Sequence, residues 1–370
     1  MKKPHIVIIG QWTAPLQTPR AHRTWQLAQE LARQGNRVVL YALTGPTFDY
    51  APVQHDTGLT VKNLGISKHG CTDSEGGTHE SFFAKYLRKA LHEPDLFPGR
   101  DLYPMVRKAL QQEGDIDLLI TVATPHVIHW ATAAAIDRSR VGTWIADCGD
   151  PYMGNPFFKH PFFMEKRERK WCGMCDFITV PIESAKSAYY PEYQDKIRVI
   201  PQGFRLEGIP LPPYTGNPVP SFAYAGVTYK GLRDPRRFLD FLSGLEGDFH
   251  FSVFSRNDKD FRPYLDRFGG RMELCGSLPR EALLPRLAGM DFLINLRNGT
   301  GVQQPSKLID YSLTGRPILD ISSEFPQEEQ DTLAEFLKGN YEKALPPLDP
   351  EPFRIENVAR QFLDLAGLAT

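Results

Sequence analysis

The residues best suited to chemistry gather where strand-like runs give way to polar loops. Lys307 opens a helical pattern behind a loop rich in Gly, Asn, Gln and Pro; Pro305 and Ser306 precede it and Asp310 follows one turn on. A helix entered from such a loop offers unpaired amides and the positive end of its dipole, which suits a phosphate. A second junction of this kind lies upstream, in S-F-A-Y-A-G-V-T-Y-K-G-L-R-D-P. There Gly226 lets a ligand approach the backbone, and Lys230 and Arg233 stand within reach of the loop. An arginine offers a bidentate phosphate contact, and either cation meets the need for positive charge. Ser255 and Arg256 end the next strand-like run, H-F-S-V-F-S.

The N-terminal half carries a different set. D-I-D-L-L-I-T-V-A-T reads as a buried strand with His126 just beyond its C-terminal end. V-G-T-W-I-A-D reads as the next, delivering Asp147 and then Asp150 into the loop D-C-G-D-P-Y-M-G-N-P. Open α/β sheets bind ligands outside the C-terminal ends of their strands, which makes His126 and Asp150 the expected catalytic residues. Asp147 alternatively caps the turn, because Asp and Pro favour turn starts.

The elements that must position these groups alternate between strand and helix. His5–Gly10 is an apolar strand, a helix is expected over 20–34, and R-V-V-L-Y-A-L is the second strand. In that helix Trp25, Leu27, Ala28, Leu31 and Ala32 form the core face, and Gly35 ends it. A βαβ unit predicts a parallel sheet, and the missing G-x-G-x-x-G disfavours dinucleotide binding. Further along, the pattern predicts a strand over 59–64, a mobile polar loop over 67–77, and an amphipathic helix over 81–91. Helices are expected over 129–137, 162–172 and I-E-S-A-K-S-A-Y-Y, with strands C-D-F-I-T-V-P and K-I-R-V-I-P-Q-G-F around the last. The Pro-rich stretch 210–220 suits a linker. Beyond it come the strands R-M-E-L-C and D-F-L-I-N-L, the helix from about 306 to 314 closed by Gly315, and P-I-L-D-I.

Composition is that of a soluble globular chain, with 370 residues, 41% hydrophobic and 24% charged. A net charge of −1 argues against nucleic acid as a partner. No apolar run approaches the ~20 residues of a membrane span, and the run at the N-terminus is too short for a signal peptide. The 5 cysteines are scattered and suit a reducing cytoplasm; Cys172 and Cys175 read as free thiols on a helix, with no metal site expected.

P-S-K-L-I-D-Y-S-L-T-G-R-P-I-L resembles the donor-site segment of the family-four glycosyltransferases. Their fold is GT-B: two Rossmann-like parallel-sheet α/β domains facing a central cleft. In that family a helical acidic residue binds the donor ribose, and Asp310 matches it with Asp in place of Glu. A second acidic residue lies eight positions earlier, near the sugar; here that position is Val302. The resemblance implies that Gly226, Lys230, Arg233, Ser255, Arg256, Pro305, Ser306 and Lys307 line the donor site. R-M-E-L-C-G-S-L similarly implies that the backbone from Cys275 to Leu278 reads the base. Gly10, Arg20 and His22 would line the acceptor side. D-C-G-D-P-Y resembles the family's D-x-x-D-P-W, with Cys148 and Gly149 where many relatives carry a histidine. V-I-P-Q-G resembles the family hinge, giving an N-terminal domain over 1–205, a nucleotide-sugar domain over 206–350, and a last helix over 351–370 crossing back.

The resemblance thus implies a retaining, metal-independent transferase moving a hexose from a nucleotide diphosphate sugar, with UDP expected, to a glycan or glycolipid hydroxyl. The sugar nucleotide is a substrate, and no cofactor is expected. Val302 favours a GT-B-like protein that binds without transferring, and a nucleotide-sugar epimerase shares the fold. Cations beside aromatics over 85–108 and 159–171 suggest peripheral contact with the inner face of the cytoplasmic membrane during polysaccharide or lipopolysaccharide assembly.

Overall fold

The computed structural model describes residues 3–68, 71–77, 99–155, 159–229, 231, 233–297 and 307–369. The helix expected over 81–91, and Lys230, Val302, Pro305 and Ser306, lie outside the described residues. The chain forms two compact units, Met1–Arg205 with Pro352–Thr370, and Leu206–Glu351.

The first unit is built on a 7-stranded sheet in the order β3-β2-β1-β4-β5-β6-β7, every pairing parallel. Its strands are β1 (His5–Gly10), β2 (Arg37–Ala42), β3 (Thr60–Asn63), β4 (Ile116–Ala123), β5 (Val141–Cys148), β6 (Phe177–Val180) and β7 (Ile197–Val199). The inner strands are apolar throughout because helices cover both faces. Against one face pack α1 (Pro19–Arg33) and the last helix, α11 (Ile355–Leu365), through Leu27, Leu31, Ile355 and Phe362. The other face is covered by α3 (Leu102–Gln112), α4 (Val127–Ala135) and α5 (Glu165–Met174), around Trp144 and Trp171. The short α2 (Ala51–Thr57) precedes β3. Helix α1 begins where its sequence says: Thr18 Oγ1 accepts from the Ala21 amide at 3.3 Å and Pro19 needs no donor partner.

The second unit has a 5-stranded parallel sheet ordered β10-β9-β8-β11-β12. The strands are β8 (Ser221–Ala225), β9 (His250–Phe254), β10 (Met272–Leu274), β11 (Phe292–Leu296) and β12 (Ile318–Ile321). Helices α6 (Arg236–Gly244), α7 (Leu265–Phe268), α8 (Arg280–Ala288), α9 (Lys307–Thr314) and α10 (Gln327–Leu337) flank it. Phe222 stacks between Phe251 and Phe292 at 5.1 and 4.6 Å, a large aromatic core for a small sheet. Gly315 closes α9 with φ 67°, a left-handed cap that favours glycine.

Several expectations change. Residues 183–188 form a 3-10 helix rather than an α-helix, with Ser187 Oγ donating to the Ser184 carbonyl at 2.9 Å. Serine hydroxyls compete in this way for the bonds an α-helix needs. Helix α4 starts at Val127, earlier than expected, and α5 is preceded by a 3-10 turn at Phe162–Met164. Trp25 is half-buried, and the inward face of α1 instead includes Arg23. The segment 71–77 is tied down: Ser74 is buried and bridges the Leu43 carbonyl (2.7 Å) and the Thr13 amide (3.1 Å). Along 210–220 the chain is held to the second unit, since Tyr214 donates to Asp291 and stacks under Arg316 at 3.9 Å.

Candidate functional site

In the second unit the sheet's C-terminal end gathers most of the expected donor residues. Strand β8 stops at Ala225, and the Gly226 amide donates to the Phe254 carbonyl at 2.9 Å. A side chain at 226 would collide with Lys307 Nζ and the Tyr224 hydroxyl, so glycine lets the lysine lie against the strand end. Lys307 Nζ sits 5.7 Å from the Tyr224 ring centre. Burial, reinforced by repulsion from Arg233 and Arg256, pulls the ammonium pKa down to about 7, against a smaller opposing pull from Asp310. Lys307 therefore feels two arginines at the end of β8. Arg233 is placed by a tight loop, its amide donating to Tyr229 O at 2.9 Å while Tyr229 donates back at 3.2 Å.

Asp310, on the first turn of α9, is joined to Arg280 by an Nε–Oδ1 bond of 2.7 Å, both side chains being 19% exposed. Next to it Tyr311 is buried, and its hydroxyl accepts from the Ala225 amide at 2.8 Å. That bond fixes the helix to the strand end from which Gly226 departs. Cys275 and Leu278 are half-buried and pack on the Tyr311 cluster, leaving Gly276 and Ser277 exposed between them. Ser255 is turned inward to its own loop, donating to the Asn257 carbonyl at 2.8 Å. It shapes the loop that presents the exposed Arg256.

The expected residues of the first unit form a different kind of assembly. Asp147, 2% exposed, accepts from Arg23 Nε at 3.0 Å and Nη2 at 2.8 Å, and from Thr179 Oγ1 at 2.7 Å. It is the partner of a buried cation and not a turn cap. Arg23 also reaches the Pro201 and Ile200 carbonyls and lies 5.2 Å from the Phe362 ring, tying α1, β5, the end of β7 and α11 together. Arg20, one turn earlier, packs its guanidinium over Gly149, where any side chain would collide. Asp147 and Asp150 attract it while burial lowers its pKa. His126 precedes α4, is 2% exposed, and donates from Nε2 to the Asp150 carbonyl at 3.0 Å. Burial drives its pKa to about 3, so it holds the Asp150 loop as a neutral ring and does not exchange protons near neutrality. Gly10 is buried against Thr24, a close approach of α1 to β1; His22 is half-buried in the same helix.

His126, His129 and Cys148 bring metal-ligating atoms within 4.8 Å of one another. His129 already bonds Thr121 Oγ1 at 2.8 Å and Cys148 Sγ at 3.4 Å, and Thr121 accepts from Trp144 Nε1 at 2.9 Å. Burial pushes the Cys148 thiol up and the His129 imidazolium down, so both are held neutral. A metal needs the thiolate, and these surroundings oppose it. His129, Cys148, Thr121 and Trp144 form one hydrogen-bonded network instead.

Sequence reasoning missed Arg280, Tyr311, Arg23 and Glu168. Arg280 opens its helix directly behind the base-side loop, and Tyr311 follows Asp310, so both were in view without a spacing rule that paired them. Glu168 is buried in α5, accepts from Tyr190 at 2.7 Å, and is raised by burial to about 7. Among the described residues no helix is long and apolar enough to cross a membrane.

No family model and no curated protein matches the chain by sequence. Solved structures do match it over nearly its whole length. Anabaena HepE in complex with UDP has a TM-score of 0.61 at 12% identity, covering 98% of this chain and 99% of that one. The lipopolysaccharide outer core galactosyltransferase WaaB gives 0.56 at 11%, covering 97% and 98%. A UDP-N-acetylglucosamine 2-epimerase gives 0.54 at 12%, covering 99% and 97%. With two parallel-sheet units of 7 and 5 strands, the fold is GT-B.

Proposed function

We propose that the protein is a glycosyltransferase that moves a hexose from a nucleotide diphosphate sugar, a UDP-sugar, to a hydroxyl of a glycan or glycolipid. The observation that carries this reading is Lys307 lying against Gly226 at the end of β8, within the electrostatic reach of Arg233 and Arg256, with Asp310 one turn along α9. The bond from the anomeric carbon to the diphosphate breaks, the diphosphate keeps the electron pair, and the acceptor oxygen bonds the sugar as its proton passes to the departing diphosphate. Fixed cations at the phosphates would stabilise that leaving charge without reorganisation, which is where preorganised sites gain most. Asp310 would accept from the ribose hydroxyls, oriented by Arg280, and the exposed 276–277 backbone would meet the base. Retention of configuration and independence of metal are the parts of the reading taken from the family resemblance. A place in cell-surface polysaccharide or lipopolysaccharide assembly on the cytoplasmic side is a further part of the reading, suggested by the cations beside aromatics over 85–108 and 159–171.

Arg20 and Asp150 are the proposed acceptor-side and catalytic groups of the first unit, with His126 positioning Asp150. Incubation with UDP- and GDP-sugars and a glycan acceptor should give acceptor-dependent release of UDP. The structural likeness to an epimerase supports a second reading, which predicts conversion of the sugar nucleotide with no acceptor present. Binding of UDP with neither reaction would leave a non-transferring protein.

A further inference from the structure

Two adjacent phenylalanines stand out from the first unit, Phe162 85% exposed and Phe163 51% exposed. They occupy the 3-10 turn that leads into α5, with ring centres 5.9 Å apart. Water-exposed aromatic pairs on a well-packed domain mark an interaction surface. The turn is firmly based: Met164, between them and the helix, is fully buried, as are Trp171 and Cys172 below. Burying positions 164, 168, 171 and 172 turns 163, 166, 167 and 170 outward, so Lys166, Arg167 and Lys170 continue the face that Phe163 begins. Lys159, just before the turn, is exposed as well. Lys159, Lys166 and Lys170 form no ion pair with a described residue, whereas Arg169 on the flank is matched by Glu165 and Glu192.

We infer that this face docks on an anionic lipid surface. Side chains this exposed project from the surface and offer no groove for a partner's helix, while apolar tips backed by lysines match an acyl boundary beneath anionic headgroups. The face also begins where the candidate site ends. Asp150 and Phe162 both lie in the segment between β5 and α5, and within it Tyr152 stacks on His160 at 3.7 Å. Docking would hold the connection that carries Asp150 at the membrane, so an acceptor carried on a lipid could meet the enzyme without leaving the membrane. This last step rests on the glycolipid-acceptor reading; the docking itself does not.

The test is co-sedimentation of the full chain with vesicles of phosphatidylglycerol and phosphatidylcholine, and of phosphatidylcholine alone, at low and high salt. Binding is expected only with phosphatidylglycerol and to weaken with salt. The variant K166Q/K170Q should lose about fivefold in partition per charge removed. F162S/F163S should lose about tenfold or more. Both should keep the wild-type melting point and the wild-type affinity for UDP, so a failed docking result and a failed donor site are separate readouts. Equal binding to both vesicles, no binding, or binding unaffected by K166Q/K170Q overturns the inference. So does a salt-insensitive dimer in sedimentation velocity that F162S/F163S dissociates, which would make the occupant a second copy.

Discussion

At the end of the 7-stranded sheet, Arg23 is met by both oxygens of Asp147, and the histidines nearby are neutral and hydrogen-bonded. At the end of the 5-stranded sheet, burial depresses the pKa of Lys307, and the fields of Arg233 and Arg256 lower it further. Both places are where α/β sheets bind ligands, yet they treat charge in opposite ways. A buried charge with its complement in place is a structural commitment, because removing either partner strands the other. Like charges held close together raise the energy of the empty protein, and an anionic ligand relieves it. The first arrangement holds a shape that presents Asp150 and Arg20; the second is built for something that arrives.

The largest expected effect breaks the first arrangement. Arg23→Met should destabilise the first unit by about 3–5 kcal/mol, because Asp147 is left buried and unmatched. Arg23→Met with Asp147→Leu should cost clearly less than the single change, since no charge is then stranded. Urea unfolding of the three proteins measures both. A small cost for Arg23→Met alone would mean the pair does not hold the unit together.

The second effect is acid sensitivity confined to the first unit. His126 is lowered to about 3 and His129 lies well below its ordinary value, so the unfolded chain binds protons that the native state does not. Each such group removes about 1.4 kcal/mol per pH unit as the pH falls below ~6.5. Glu168, raised to about 7, works the other way: between ~4.5 and 7 the native state holds its proton and the unfolded chain does not. One histidine is thus offset in that window. Below ~4.5 the two histidines act unopposed and together remove about 2.7 kcal/mol per pH unit, to which the lowered carboxyl groups of Glu113 and Asp147 add. Calorimetric melts should show one transition moving sharply below that pH, and His129→Gln should reduce the slope by about 1.4 kcal/mol per pH unit. Equal movement of both units' transitions would count against the comparison.

How much of the molecule is legible in its sequence depends on range. The strands, α1, the left-handed Gly315 and the loop-to-helix junctions at Gly226 and Lys307 are local, set by periodicity and turn chemistry, and they are legible. The pairings are not. Arg23 and Asp147 are separated by the whole βαβ series, and an arginine in the first turns of a helix carries no sign that it will be buried. Asp310 and Arg280 sit on different helices, and only the packing of α8 beside α9 brings them together. His126 is legible as a residue at a strand end, but its role is not. Burial, which sequence does not quantify, decides whether an imidazole there titrates.

The third effect tests the second arrangement. Asp310→Ala should weaken UDP binding by about 1.5–3 kcal/mol, the worth of hydrogen bonds to a charged acceptor. Arg280 is 19% exposed and so keeps a path to water, and the unfolding midpoint should move less than for Arg23→Met. Isothermal calorimetry and a thermal melt on the same variant separate the two readouts. A large stability loss with unchanged affinity would make Asp310 a structural partner of Arg280, of the same kind as Asp147.

The smallest effect is a pH dependence that only a crowded cation produces. In the empty protein Lys307 loses its proton near pH 7, chiefly through burial and further through Arg233 and Arg256. A bound diphosphate supplies the opposite charge at close range, which should return the pKa toward its ordinary value. Binding above pH 7 must then take up a proton, and affinity should fall about tenfold per pH unit, or about 1.4 kcal/mol, as the pH rises beyond 8. A terminal phosphate titrates near 6, so this window isolates the lysine from the ligand. Calorimetry in buffers of different ionisation enthalpy would count the proton directly. Lys307→Met should bind UDP more weakly at pH 7 and show a flat profile above it. A wild-type affinity that does not change between pH 7 and 9 would mean Lys307 is charged before the ligand arrives. The two sheet ends would then differ in how well charge is matched, but not in how hard it is pressed together.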